Sequence, residues 1–406
     1  MDQDIEYYRK FRWAVVLIGL FVMMVISIYQ YSWSLFAYKI VQEWKWDLAT
    51  VGMAFTIFNV ATFIQPFCGY IADSFGPQKV SLLGAFLVGI GFILASWAST
   101  PGELYLYYGL GGVGVGILYG IATASAIKWF PDRRGLATGL VVFGFGAGTA
   151  LFNWVIQGML ESSGLRPTFK IMGFFMLLSL IPCAFFLKYP PGKWSEAVKP
   201  SSRAGVRLLE EYPPAAMLGT RQWYLIYFCF IFTISIVLLF AAQMKMLAKE
   251  FDLPETYFSL LLVIFPIGNG LSRLLAGGIS DKVGREKTMV IFYSILGLSI
   301  LALVQFGTNP ILFLIIAFMA GLLGGSPFGL YPATIGDYYG AKYSTTNYGI
   351  TYTAKVWAGL ISGWVGGYLA ARTASYKTLL LIIAVSCLLA AFFSNPRIMR
   401  SPQKKI

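Results

Sequence analysis

Histidine is absent from this 406-residue sequence, and its absence excludes several chemistries at once. A histidine-based catalytic triad, a histidine metal site and a histidine proton switch cannot be built. The GxxxxGK[ST] phosphate-binding loop is also absent, which excludes ATP hydrolysis by that motif. The four cysteines lie in apolar runs without CxxC spacing, so they predict neither a disulfide framework nor a zinc site. We expect no enzyme, no metal and no cofactor.

Charged residues are scarce, at 12% of the sequence against about 25% in soluble domains. Hydrophobic residues make up 57%. Apolar stretches of about 20 residues recur along the chain, and each is long enough to cross a hydrocarbon core about 30 Å thick. The first of them is too long for a signal-peptide core and lacks a small-residue cleavage site, so we expect it to be retained. The composition predicts a protein embedded in the lipid bilayer.

Twelve predicted spans divide the chain into two halves. They cover residues 13–37, 50–72, 79–99, 104–128, 135–158, 168–188, 222–246, 257–280, 288–306, 311–336, 344–371 and 376–394. The long polar stretch between the sixth and seventh spans is rich in Pro, Ser, Lys and Arg. We therefore predict an all-α membrane protein of two six-helix bundles. The predicted parts are an N-terminal bundle at 1–188, a linker at 189–221, a C-terminal bundle at 222–394 and a tail at 395–406.

The basic residues sort by membrane side. With both termini on one side, 21 Lys and Arg residues fall on that side, 8 on the other and 2 within spans. The positive-inside rule then predicts cytoplasmic termini and a cytoplasmic linker, in a multi-pass protein of the plasma membrane. The net charge of +13 follows this pattern, so nucleic acid is not a predicted partner.

An internal repeat relates the two halves. "GYIADSFGPQK" follows the second span and "GGISDKVGREK" follows the eighth, and each has Gly, three residues, Asp, two residues and Gly before a basic residue. An ordinary hydrophilic turn is the simpler interpretation, but its occurrence twice at matching positions favours a parallel repeat. With this signature the chain resembles the major facilitator superfamily. The resemblance implies a cytoplasmic charge network that changes as the halves rock, at Gly69, Asp73, Gly76, Lys79, Gly277, Asp281, Gly284 and Arg285.

Glycine clusters are better explained by helix packing than by nucleotide binding. "GLGGVG" matches the GxGxxG fingerprint, but no βαβ context surrounds it and the segment is typical of a continuous membrane helix. Small residues let membrane helices approach closely. The sequence leaves open whether the glycine-rich helix faces only pack together or also slide past each other.

Two cations, Arg273 and Lys355, lie well inside predicted spans. A charge near a span centre costs about 2.5 to 3.5 kcal/mol on insertion scales, so such residues indicate function by default. Lys355 is about 16 Å of helix from the nearer span end, while its stem reaches only about 6 Å, so snorkelling does not explain it. Arg273 is about 10 Å from the cytoplasmic end of its span, a distance that helix tilt and side-chain length together nearly cover. Snorkelling is therefore a stronger alternative for Arg273 than for Lys355.

The acidic residues predict the substrate's charge. All 18 fall in predicted loops or at span ends, the deepest being Asp337 near the cytoplasmic end of the tenth span. The complementary negative charge is therefore predicted to arrive with the substrate. An arginine fork binds a carboxylate bidentately and a lysine adds a point charge, so we expect a small anion such as a dicarboxylate.

The distribution of the acidic residues also bears on whether transport is coupled to protons or to a second anion. Proton symport usually needs an acid or a histidine within the membrane, and none is predicted there. Lys355 or the substrate's own carboxyl could serve instead. Exchange of one anion for another is favoured.

Further motifs narrow the resemblance: "QYSWSLFA", "GVGILYGIA", "KWFPDRRGLATG", "SDKVGREKTM" and "NYGITYTAK". Together they resemble the oxalate:formate antiporter branch of the major facilitators, which is close to the monocarboxylate transporters. The resemblance implies that Arg273, Lys355, Tyr31 and Tyr119 contact the substrate. The alternative for Tyr31 and Tyr119 is that they are buried only because their bulk fills space between membrane helices.

The chain departs from this branch in the expected aromatic cage. Tyr352 stands where a tryptophan is expected, Phe328 where a tyrosine is expected, and a further tryptophan is missing around Leu323 and Gly324. The sequence therefore leaves open whether oxalate is the substrate, and it also allows a bulkier or less charged carboxylate. We include Tyr352 and Phe328 among the predicted substrate-binding residues.

These observations predict a monomeric secondary transporter that exchanges small carboxylates by alternating access, with its site near the bilayer midplane between the halves. The alternative is a monocarboxylate carrier of the lactate, pyruvate or formate type, acting as a uniporter or proton symporter. A non-translocating sensor would need a signalling module, for which the tails are short. The predicted partners are the carboxylate and the lipid bilayer.

Overall fold

A computed structural model describes residues 2–64, 67, 72, 76–130, 134–191, 194, 211–339 and 343–402. These residues contain helices and no β-strand. A helix satisfies its backbone hydrogen bonds within one segment, as a hydrocarbon environment requires, and this explains why the apolar runs are helical. The predicted all-α class is confirmed.

In the N-terminal half the helices are α1 (Asp2–Ile26), α2 (Ile28–Tyr31), α3 (Trp33–Trp44), α4 (Leu48–Ala61), a 3₁₀ turn (Thr62–Ile64), α5 (Pro77–Ala95), α6 (Pro101–Trp129), α7 (Arg134–Ala147), α8 (Thr149–Ser162) and α9 (Leu165–Phe186). In the C-terminal half they are α10 (Pro214–Leu218), α11 (Arg221–Glu250), α12 (Glu255–Val283), α13 (Arg285–Phe306), α14 (Pro310–Gly324), α15 (Pro327–Tyr339), α16 (Ser344–Tyr352), α17 (Ala354–Leu360), a π-helical turn (Ile361–Val365), α18 (Gly366–Thr373) and α19 (Lys377–Phe393).

These helices coincide with the twelve predicted spans. In the described part of the chain, nine helical segments are long and apolar enough to cross a membrane: Glu6–Trp44, Pro77–Ala95, Pro101–Ala126, Leu136–Ser162, Leu165–Phe186, Arg221–Glu250, Glu255–Ser280, Arg285–Phe306 and Pro310–Tyr339. Two shorter apolar helices, Leu48–Ile64 and Lys377–Phe393, match the second and twelfth spans. The eleventh span corresponds to α16, α17, the π-helical turn and α18 in succession.

The "GLGGVG" segment lies within the continuous helix α6, which supports the packing interpretation over a nucleotide loop. The helix begins with a capping box, in which Thr100 accepts from the Glu103 backbone N–H and Glu103 accepts in return. A Cβ on Gly114 would come within 2.5 Å of the Gly84 backbone oxygen. Helices α5 and α6 therefore pack closely only because this position has no side chain.

The chain forms two compact units by packing. The first comprises Met1–Ser32 and Ile57–Gly205, and the second comprises Trp33–Thr56 and Val206–Ile406. The segment Trp33–Thr56 thus packs with the second unit, although the sequence division assigns it to the N-terminal bundle. Most of the predicted linker and the last residues of the predicted tail lie outside the described residues. The predicted bundle boundaries stay predictions.

Within the second unit, close contact between α4 and the π-helical turn holds the segment Trp33–Thr56. A Cβ on Gly52 would lie 2.2 Å from the Gly363 backbone oxygen, and one on Gly363 would lie 2.6 Å from the Gly52 oxygen. The hydroxyl of Thr56 donates to the Gly359 carbonyl at 3.3 Å. A sequence pattern of hydropathy does not specify such a backbone-to-backbone approach.

Candidate substrate-binding site

Arg273 lies in the long helix α12 and is 7% exposed. Its Nη2 donates to Oδ1 of Asn269, one helical turn earlier, at 3.5 Å. Its Cζ lies 4.7 Å from the ring centroid of Phe328, on α15, within the range of a cation–π contact. The guanidinium is therefore oriented by an amide on its own helix and by a ring on another.

Lys355 lies in the segmented eleventh span and is 3% exposed. Helix α16 ends at Tyr352 and α17 begins at Ala354, so the interruption at Thr353 lies directly between Tyr352 and Lys355. The Nζ of Lys355 lies 5.8 Å from the Tyr352 ring centroid. The π-helical turn Ile361–Val365 directly follows α17, and such turns occur frequently at functional sites.

Helix α11 contacts the interruption from the side. The Tyr227 hydroxyl hydrogen-bonds the Thr353 hydroxyl at 2.8 Å, and Trp357 Nε1 donates to Tyr227 at 3.1 Å. Trp223 Nε1 donates to the Thr351 hydroxyl at 3.0 Å. These bonds fix the backbone on both sides of Tyr352 and thereby the direction in which Lys355 leaves the helix.

Aromatic rings connect the two cations. The rings of Phe328 and Tyr352 are 6.0 Å apart, and the buried ring of Phe230 lies 5.7 Å from Phe328 and 6.3 Å from Tyr352. Arg273 and Lys355 are close enough to repel each other electrostatically. We call these five residues the cation–aromatic cluster: Arg273, Lys355, Phe328, Tyr352 and Phe230. The whole cluster belongs to the second unit.

Phe230 is a member of this cluster that the sequence does not single out. It lies in the run "FCFIF" of α11, where three aromatic residues alternate with other apolar ones. Which of these rings faces Phe328 depends on the rotation of α11 against α15 and α16. Hydropathy contains no information about that rotation.

The predicted residues of the first unit form a separate group. Tyr31 is fully buried and Tyr119 is half-buried, and their ring centroids lie 5.8 and 5.1 Å from that of Phe145. Tyr31 ends the four-residue helix α2, which is flanked by Ser27 and Ser32. The structure brings these two tyrosines together around one ring.

The repeated loop signature is described in part. Gly69 and Asp73 lie outside the described residues, as does the side chain of Asp281. Gly76 and Gly284 have nearly the same backbone, with φ of 86° and 99° and ψ of 141° and 145°, and each precedes a helix. Positive φ at this position favours glycine. The two loops therefore share a turn geometry, as the repeat predicts, and Lys79 lies in the first turn of α5.

The second copy of this signature includes a charge network. Arg285 Nε donates to Asp337 Oδ2 at 3.0 Å, and its Nη1 donates to the Gly277 carbonyl at 3.4 Å and to the hydroxyl of Ser280. Glu286 accepts from the Tyr338 hydroxyl at 2.5 Å. The end of α12, the start of α13 and the end of α15 are thus joined by hydrogen bonds. The conformational role of this network stays a prediction.

Comparison with known proteins identifies the family. The Major Facilitator Superfamily matches residues 15–244 and 223–405 of the chain. The chain is 30% identical over 403 residues to the "Oxalate:formate antiporter" of Oxalobacter formigenes, covering 97% of this chain and 94% of that protein. It is 25% identical over 359 residues to "Monocarboxylate transporter 11" of Mus musculus, covering 81% and 74%.

A solved structure shares the architecture. The crystal structure of the D-xylose-proton symporter superimposes with a TM-score of 0.75, covering 97% of this chain and 99% of that one, at 15% sequence identity. At this identity the likeness shows the fold alone. The fold and the relatives are those of membrane transporters and not of enzymes. The chain belongs to the Major Facilitator Superfamily.

Proposed function

We propose that this protein is a secondary transporter of small organic anions, and specifically a carboxylate exchanger of the oxalate:formate type that works by alternating access. The main support is the cation–aromatic cluster, which holds Arg273 and Lys355 in a buried, aromatic-lined environment. A guanidinium fork and an ammonium group together suit a carboxylate anion. The similarity to an oxalate:formate antiporter agrees with this chemistry.

The electrostatics of the cluster favours an anion. Two like charges that repel each other in a medium of low dielectric raise the energy of the protein. An anion bound near Arg273 and Lys355 lowers that energy by attracting both. Reorientation is then easier for the loaded carrier than for the empty one, and this asymmetry produces exchange.

The aromatic residues bear on which carboxylate is bound. Phe328 provides a ring without a hydroxyl beside the guanidinium of Arg273, and Tyr352 provides a smaller ring than the tryptophan expected in this branch. Smaller and less polar side chains leave room for a carboxylate with more carbon atoms or with one charge fewer than oxalate. We therefore propose a carboxylate selectivity that extends beyond oxalate.

A counterflow assay in proteoliposomes tests the proposal. Vesicles with the purified protein are loaded with oxalate, formate, lactate, pyruvate, malonate or succinate, and uptake of a radiolabelled carboxylate is measured. We expect uptake only when a carboxylate is present on the far side. Absence of counterflow with all six anions would contradict the proposal.

A monocarboxylate carrier is the second candidate, favoured by the similarity to monocarboxylate transporter 11 and by the missing hydroxyl at Phe328. The two candidates differ in coupling. A proton symporter accumulates lactate or pyruvate in empty vesicles when a pH gradient is imposed, and a uniporter equilibrates it without any gradient. The exchanger does neither.

A further inference from the structure

Phe230, on α11, packs against both of the rings that face the buried cations. Its ring centroid lies 5.7 Å from that of Phe328 and 6.3 Å from that of Tyr352, and both pairs are edge-to-face, an arrangement that aromatic rings prefer. Phe328 in turn contacts the guanidinium of Arg273. Tyr352 lies beside the ammonium group of Lys355. Within the second unit, each cation is therefore linked to Phe230 through one ring.

Two buried tyrosines support Phe230. The ring centroid of Tyr331 lies 4.9 Å from that of Phe230, and the Tyr293 hydroxyl on α13 donates to the Tyr331 hydroxyl at 3.0 Å. Phe230 and both tyrosines are fully buried. Tyr331 follows Phe328 by three residues, so both rings lie on one face of α15. Because protein interiors are close-packed, Phe230 has no free space to move into, and it fixes the position of the rings that it touches.

The same face of α11 also holds the interruption of the eleventh span. Tyr227 precedes Phe230 by three residues, and its hydroxyl hydrogen-bonds the Thr353 hydroxyl at 2.8 Å. Helix α11 thus contacts this part of the chain twice, through a hydrogen bond beside Tyr352 and through a ring against it. Since the hydrogen bond holds the backbone, the size of residue 230 determines where the Tyr352 ring lies.

We propose that Phe230 is a positioning residue that sets the length of the carboxylate substrate. The inference rests on the proposed function, in which Arg273 and Lys355 bind the anion. The rings of Phe328 and Tyr352 bound the space beside these cations. A smaller side chain at position 230 lets both rings recede, because packing relaxes partly around a truncated side chain. A larger one pushes both rings toward the cations. The room for the carbon chain of the substrate therefore grows as residue 230 becomes smaller.

Phe240 shows what an ordinary core ring on the same helix looks like. It is fully buried, and its ring centroid lies 5.1 Å from that of Phe265 and 6.3 Å from that of Phe313. Phe240 thus matches Phe230 in residue type, helix, burial and ring contacts, but its neighbours lie outside the cation–aromatic cluster. Truncation at either position leaves a cavity, and only the cavity at Phe230 adjoins the rings that face the cations.

Oxalate, malonate and succinate test the proposal, because each differs from the next by one methylene. Competition at equilibrium with the radiolabelled carboxylate that the native protein exchanges fastest gives the ratio of succinate to oxalate affinity. In Phe230→Leu we expect this ratio to rise by roughly threefold or more, since a single methylene can decide the fit to an apolar pocket. We expect a larger rise in Phe230→Ala and a fall in Phe230→Trp. Malonate should lie between the other two anions in every variant.

Phe240→Leu is the matched control. We expect it to lower the melting temperature, as Phe230→Leu does, because both leave a cavity in the core. The ratio of succinate to oxalate affinity is expected to stay within about twofold of the native value in Phe240→Leu, because distant sites act independently. A purely structural role of Phe230 would give the same result in both variants.

The outcomes separate the two proposals. If the native protein exchanges carboxylates and the ratio is native in Phe230→Leu and Phe230→Ala, the role of Phe230 is wrong and the proposed function stands. A shift of the same sign in Phe230→Trp and Phe230→Leu also contradicts the role of Phe230, as does an equal shift in Phe240→Leu. If Phe230→Trp does not fold, the order of the ratios in Phe230→Ala, Phe230→Leu and the native protein decides. If the native protein binds no carboxylate at all, both proposals fall together.

Discussion

The guanidinium carbon of Arg273 lies 4.7 Å from the ring centroid of Phe328, so the side chain that faces the cation has no hydroxyl. Phe328→Tyr would add a phenolic O–H beside the proposed carboxylate site. Because that O–H can donate to a second carboxylate oxygen, we expect competition by oxalate to strengthen relative to formate by about three- to tenfold. Competition counterflow with both anions measures the ratio.

Phe328→Leu is the control for this substitution, since it removes the ring and adds no hydroxyl. Loss of the cation–π contact is expected to weaken binding of both anions by about two- to fivefold without changing their ratio. If Phe328→Tyr keeps the native ratio of oxalate to formate competition, residue 328 does not determine selectivity between these anions. A changed ratio in Phe328→Leu would show that ring shape, and not the hydroxyl, sets selectivity.

Removal of either buried cation tests the anion site itself. Lys355→Gln and Arg273→Gln each remove one charge from the cation–aromatic cluster. Truncating one partner of a buried charged hydrogen bond costs about 2 kcal/mol or more, so we expect anion affinity to fall by at least roughly 30-fold. Equilibrium binding of a radiolabelled carboxylate measures it.

Arg273→Lys and Lys245→Gln refine this test. Arg273→Lys keeps the charge but loses the planar fork, so we expect an intermediate loss. Lys245 pairs with Glu255 at 2.9 Å outside the cluster, and its removal is expected to leave affinity within about twofold. Native affinity in Lys355→Gln or Arg273→Gln would exclude that residue from the site.

The positions of the spans and of the two membrane cations could be predicted from the sequence, because both depend on composition along one dimension. A run of apolar residues must form a helix in lipid, and a charge within it is conspicuous at once. The repeat at Gly76 and Gly284 was also predictable, since a turn that requires positive φ favours glycine in each copy.

The interruptions of the first and eleventh spans could not be predicted in the same way. The helices break at Ser27, Ser32 and Thr353, and none of these residues is a proline or a glycine. The hydroxyl of Thr353 forms hydrogen bonds with the Ile350 carbonyl and with the Tyr227 hydroxyl, and these bonds stabilise the interrupted backbone. This stabilisation depends on a residue 126 positions away in the chain, and a local sequence window does not contain it.

Asp47 gives a prediction for pH, since it lies between the first two spans and precedes α4. Its Oδ1 accepts from the Thr50 backbone N–H at 2.9 Å, and its other oxygen accepts from the Thr50 hydroxyl. The hydroxyl bond is the main cause that lowers the pKa of Asp47 below its ordinary value. The carboxylate therefore stabilises the fold at neutral pH, and this contribution is lost as the pH falls through the lowered pKa.

The corresponding variant is Asp47→Ala. Loss of an N-cap typically costs about 1 kcal/mol, so we expect a lower melting temperature than the native protein at pH 7. The difference is expected to shrink below the ordinary aspartate range, where the native carboxyl is protonated too. Asp47→Asn is the control, because an asparagine also caps a helix but does not titrate. A difference that stays constant from pH 7 to pH 3 would contradict the assignment.

Arg285 tests the charge network of the second loop signature. Its bonds to Asp337 and to the Gly277 carbonyl join α13 to α15 and α12. If the network changes as the carrier reorients, Arg285→Gln slows exchange while carboxylate binding at equilibrium stays native. Asp337→Asn is expected to have the same effect, and the double variant should be no slower than either single one, because both remove one interaction. Lys287→Gln, two residues along α13, is the control. Additive losses in the double variant, or weaker carboxylate binding in Arg285→Gln, would mean that Arg285 and Asp337 act independently of a shared conformational step.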